Sequence, residues 1–141
     1  MKSYFAAIVA VLLWFLVWDN FLGQLLVGPA MASIPGMLPE FSKFWETVGD
    51  LFAAVILTGL YARVRGVFGA NTMGGAVYGV YAGLLIHFPT WLFMTVYAAW
   101  PYGATWKLTI GLVAFTVVAG AIMGTVYQMT GGAPAGQKAG S

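Results

Sequence analysis

The sequence predicts an all-α, polytopic membrane protein: a bundle of four transmembrane helices with both termini in the cytoplasm. Three observations carry that expectation. Apolar residues make up 61% of the 141 residues, against ~45–50% in soluble domains. Charged residues make up 7%, against ~25%. So few charges cannot give a whole domain a water-solvated surface, which leaves lipid as the main solvent. Four apolar segments each supply the ~20 residues a helix needs to cross ~30 Å of hydrocarbon. Alternating strand patterns are absent, and helices satisfy their own backbone polar groups in lipid.

The first segment follows MKSYFAAIVAVLLWFLVWDN, one lysine and then an apolar run. A signal peptide has the same outline. Trp14 and Trp18 inside the run, and no small-x-small cleavage site soon after it, favour an uncleaved helix over 4–27. Residues 28–43, GPAMASIPGMLPEFSK, hold three prolines and two glycines and read as an outer loop. Pro39 as first residue, or Ser42 as cap, opens a second helix over 44–62. RVRGVFGANT, 63–72, reads as a short turn with two arginines. A third helix covers 73–99, with Pro89 removing one backbone hydrogen bond. WPYGATW, 100–106, is a tight turn before a fourth helix over 107–129. The tail 130–141, TGGAPAGQKAGS, is small and polar and is expected to be disordered.

Basic residues orient this arrangement. With the N-terminus inside, Lys2, Arg63, Arg65 and Lys138 lie on the cytoplasmic side, and Lys43 and Lys107 on the other. Trp18, Trp45, Trp91, Trp100 and Trp106 fall toward the outer side, as an interfacial belt would.

Several functions are disfavoured. A net charge of +2, scattered along the chain, gives no nucleic-acid surface. With no cysteine there is no disulfide, thiolate metal site or cysteine nucleophile. None of the four serines, Ser3, Ser33, Ser42 and Ser141, stands in a G-x-S-x-G context. The glycines of GGAVYG lack the Lys-Ser/Thr of a phosphate loop. The methionines are dispersed, and no histidine pair offers metal-ligand spacing, so a metal is left open.

Small residues recur at helical spacing. Gly75, Gly79 and Gly83 step by four along the third helix, and Gly120 and Gly124 do so in the fourth. In lipid such rows let backbones approach closely. They serve either a dimer face or packing inside one bundle, and packing is the favoured reading. His87, the only histidine, continues the row, so it is expected to face protein rather than lipid.

Depth singles out a candidate polar cluster. At ~1.5 Å per residue, Asp19, Asp50 and His87 each lie about 20 Å from the inner edge. Asn20 follows Asp19, Glu46 stands four residues before Asp50, and Lys43 can pair with Glu46. Ionisable groups in hydrocarbon are costly and are expected to be buried and paired. The cluster Asp19, Asn20, Glu46, Asp50 and His87 reads as a register-fixing network or as a proton or cation site.

Gly83, His87 and Trp91, spaced by four, resemble the chlorophyll-ligating helices of antenna polypeptides. That likeness implies His87 as an axial ligand for chlorophyll, and haem is the related alternative. Over the whole chain WDNFLGQLL, the proline-broken outer loop, YGVYAGLL and a final helix ending GTVY resemble a group of small, uncharacterised bacterial four-helix membrane proteins. The resemblance implies a bacterial inner-membrane location and carries over no activity. The favoured function is non-enzymatic: a subunit or scaffold of a membrane assembly, as a homo-oligomer or in a larger complex. The rival is a small transporter or proton/cation conduit using the Asp/His cluster. The third reading is a pigment- or haem-holding subunit.

Overall fold

The computed structural model describes residues 1–36 and 42–131. Pro39 and the tail from residue 132 onward lie outside them. Among the described residues all regular structure is helical. Four helical stretches are long and apolar enough to cross a membrane: Lys2–Leu26, Lys43–Phe68, Thr72–Tyr97 and Tyr102–Met129. The first consists of α1 (Lys2–Val17), a π-helical turn (Trp18–Leu22) and α2 (Gly23–Leu26). A short α3 (Gly28–Ala32) follows, then α4 (Lys43–Phe68), α5 (Thr72–Tyr97) and α6 (Tyr102–Met129).

Helix ends differ from the sequence expectation for local reasons. RVRGVF continues α4 instead of turning, because its one glycine, Gly66, only weakens a helix. The stop comes at Gly69, whose φ of 98° suits a residue without a β-carbon. The Asn71 side chain then accepts the Gly74 amide at 2.8 Å and caps α5. Directly after Pro101, α6 begins, five residues earlier than expected. The amide and hydroxyl of Thr105 both donate to the Pro101 carbonyl, each at 3.0 Å. The outer loop holds α3, with Pro29 in its first turn, where a missing N–H is tolerated. Ser42 occupies the position before α4 without a side-chain cap bond.

Spans consecutive in sequence are neighbours in space: α1 with α4, α4 with α5, α5 with α6, and α6 back against α1. The α5–α6 seam is the tightest. A β-carbon on Gly75 would collide with the Gly120 carbonyl, and one on Gly124 with the Asn71 carbonyl. On Gly79 it would lie 2.7 Å from Val117 Cα, and on Gly83 3.1 Å from Val113 Cα. These pairs run antiparallel. Without a hydrophobic drive between helices, such close contact is what holds them together in lipid.

The α6–α1 seam is aromatic. Trp14 Nε1 donates to the Phe115 carbonyl at 3.0 Å. Phe15 and Trp18 pack on the Phe115 ring at 4.7 and 5.1 Å between centroids. Trp18 is only 6% exposed, so it belongs to the core and not to the expected belt. Gly23 makes the room: a β-carbon there would meet the Trp18 indole at 2.8 Å. Trp45 is exposed, and Trp91 packs on Trp100 at 5.4 Å.

Candidate functional site

Asp19 sits in the π-helical turn of the first span. A π turn holds an extra residue, which rotates the remainder of the helix and changes the direction a side chain takes. Asp50 lies in α4, seven residues after Lys43, or about 10 Å into the span. The two meet: the Asp19 and Asp50 side chains come within hydrogen-bonding reach of each other across the α1–α4 seam. Both are half-buried. Glu46 and Lys43 are close enough to act on both aspartates electrostatically. Toward the helix end Lys43 Nζ binds Glu46 Oε2 at 2.7 Å.

A carboxylate only accepts hydrogen bonds. Two carboxyl groups therefore bond to each other only with a proton between them, as in other carboxyl pairs that share one proton. With one proton shared, such a pair carries a single negative charge, and the Lys43–Glu46 ion pair stands near the end of the span. Chemically the arrangement can hold and release a proton, or exchange that proton for a small cation.

The other members of the expected cluster lie elsewhere. Asn20 Nδ2 donates to the Leu16 carbonyl at 2.8 Å and is exposed beside the pair. Gln24 Nε2 reaches the Asp19 backbone carbonyl at 3.4 Å. His87 faces the α5–α6 seam. Its Nε2 lies 3.0 Å from Thr116 Oγ1. Thr116 spends its own proton on the Leu112 carbonyl at 2.8 Å. With the Thr116 proton on Leu112, the imidazole donates from Nε2. Among the described residues no three His, Asp or Glu side chains gather closely enough to hold a metal ion.

His87 does not fit a macrocycle. Nε2 is taken by Thr116, and the small residue one turn before it, Gly83, is pressed against Val113 and Thr116. The space that a chlorophyll or haem face needs is filled by α6.

The opposite end of the bundle holds a polar group not singled out in the sequence. Tyr61, fully buried, donates to the Gly69 carbonyl at 2.7 Å. Tyr78 donates to the Leu57 carbonyl at 3.0 Å. The Tyr61 ring packs on Tyr78 and Tyr127 at 5.2 and 5.6 Å, and the Arg65 guanidinium lies 4.7 Å over Tyr127. The signal was available: Asp50, Thr58, Tyr61 and Arg65 follow one helical face of α4.

Comparison of the chain with protein families, with curated proteins and with solved structures finds no match.

Proposed function

We propose that this is a non-enzymatic, multi-pass protein of the bacterial inner membrane, with both termini cytoplasmic, that takes up and releases a proton or small cation at Asp19–Asp50. It works as a small transporter or conduit. The observation that carries the reading is the close approach of two carboxyl groups across the α1–α4 seam. A register-fixing network would be served more cheaply by an amide and a carboxylate, which need no shared proton. Paired acids within a membrane span are the usual equipment of proton and ion pathways. The excess of basic residues at Lys2, Arg63, Arg65 and Lys138 supports the orientation. The likeness to small bacterial four-helix proteins supports the location.

Reconstitution tests it. Liposomes holding the purified chain should acidify under an imposed potassium diffusion potential. Asp50→Asn should abolish the signal while the protein stays folded.

A second reading, as a subunit of a homo-oligomer, is favoured by the exposed Asn20 and Gln24 beside the pair. Amide side chains on a span surface are better placed against another protein than against lipid. Cross-linking in native membranes decides it.

A further inference from the structure

Threonine in a helix commonly turns its hydroxyl back to the carbonyl four residues earlier. Thr47, Thr90, Thr95, Thr105, Thr109, Thr116, Thr125 and Thr130 all do so. Thr72, at the start of α5, pairs with Thr125 instead. Thr58 does neither. It is completely buried in α4, and its Oγ1 has no hydrogen-bond partner among the described residues. A hydroxyl without a partner in an apolar core is costly, and a bound water is the common remedy.

The position of this hydroxyl gives it meaning. Asp50, Ala54, Thr58, Tyr61 and Arg65 step by four, four, three and four along α4, the spacing of a single helix face. Ala54 is fully buried and offers little bulk between the aspartate and the threonine. Ala7 and Ala119, also fully buried, belong to the same core cluster. Beyond Thr58, the Tyr61 phenol hands its hydrogen bond to Gly69 at the far turn. Asp50, Ala54, Thr58 and Tyr61 thus share one face of α4 that runs from the carboxyl pair toward the other end of the bundle, packed also against Val11, Phe15 and Met123.

We propose that water reaches Thr58 and that the inward face of α4 is a proton path from Asp19–Asp50 to Tyr61. The inference rests on the proton-or-cation reading of the pair and names the species as a proton. From Asp50 to Thr58 is eight residues, about 12 Å, a gap for a few waters at ~2.8 Å spacing. Each hydroxyl and water on the line accepts one proton and releases another, and the proton leaving the Tyr61 phenol passes to water at the α4–α5 turn, so no charge or atom is left behind. A metal cation would need about six oxygen ligands at each stop, and the line offers single neutral oxygens. The charged and titratable groups facing the path are Asp19, Asp50, Glu46 and Lys43 at one end. At the other they are Tyr4, Tyr61, Tyr78, Tyr127 and Arg65.

The test uses Thr58→Val, Thr58→Ser and Tyr61→Phe, with Asp50→Asn alongside, in the full chain. Proton flux is read in liposomes and thermal unfolding in detergent. The path predicts that Thr58→Val cuts flux about tenfold, the effect of one lost hydrogen bond in the barrier, and lowers the melting temperature. Thr58→Ser keeps both, and Tyr61→Phe cuts flux with its ring packing intact. A Thr58→Val protein as stable as the wild type, or more so, means a dry hydroxyl and overturns the path. Unchanged flux in Thr58→Val and Tyr61→Phe, with flux lost in Asp50→Asn, overturns the path and leaves the carboxyl pair standing. No flux from the wild type overturns both.

Discussion

At the scale of single residues, the Lys43–Glu46 ion pair was legible because its members stand three apart on one helix. The shared depth of Asp19 and Asp50 was legible too, from counting along apolar runs. Their contact was not, since depth leaves azimuth open and the π turn at Trp18–Leu22 redirects Asp19 without any local sequence signal. His87 shows the converse. Counting residues along α5 set it beside the aspartates, but it lies in another seam and bonds Thr116 rather than either of them. The glycine register carried one turn past Gly83 places His87 opposite residues 108–112 of α6, and the imidazole reaches back one turn to Thr116, beside Gly83. The amide in Asp19→Asn donates without needing a shared proton, so that variant should unfold at the wild-type temperature or slightly above it, as checked by thermal denaturation in detergent. His87→Leu should cost at most about 1 kcal/mol, because Thr116 keeps its bond to Leu112 and no group is stranded. Chemical unfolding of the two proteins side by side measures this.

At the scale of elements, the four helices were legible and their ends were not. Arg63, Gly66 and Phe68 carry no stop, so α4 runs until Gly69 permits a backbone turn that other residues resist. The α5–α6 seam offers the sharpest element-scale prediction. Gly79→Leu should separate the helices and cost several kcal/mol, since even its β-carbon would lie 2.7 Å from Val117 Cα. Gly49→Ala and Gly103→Ala meet nothing within 4 Å, so they should be neutral or raise stability by up to about 1 kcal/mol. Unfolding titrations of the three variants test the contrast. At the start of α5, Asn71→Ala removes the cap and should cost about 1 kcal/mol in the same assay.

At the scale of the whole molecule, composition alone made lipid the solvent, and the count of apolar runs gave the number of spans. The order of helices around the bundle came from the structure. It separates a carboxyl pair in the α1–α4 seam from a histidine in the α5–α6 seam, and so divides one expected cluster into two sites with different chemistry. The bundle also puts that pair on the same face of α4 as the buried hydroxyls of Thr58 and Tyr61. The most direct measurement is proton flux into liposomes carrying the wild-type chain, compared with Asp50→Asn at equal protein content. A proton or cation role for Asp19 and Asp50 predicts acidification in the wild type that disappears in the folded variant. Flux no greater than in empty liposomes, or equal flux in the two proteins, would contradict that role.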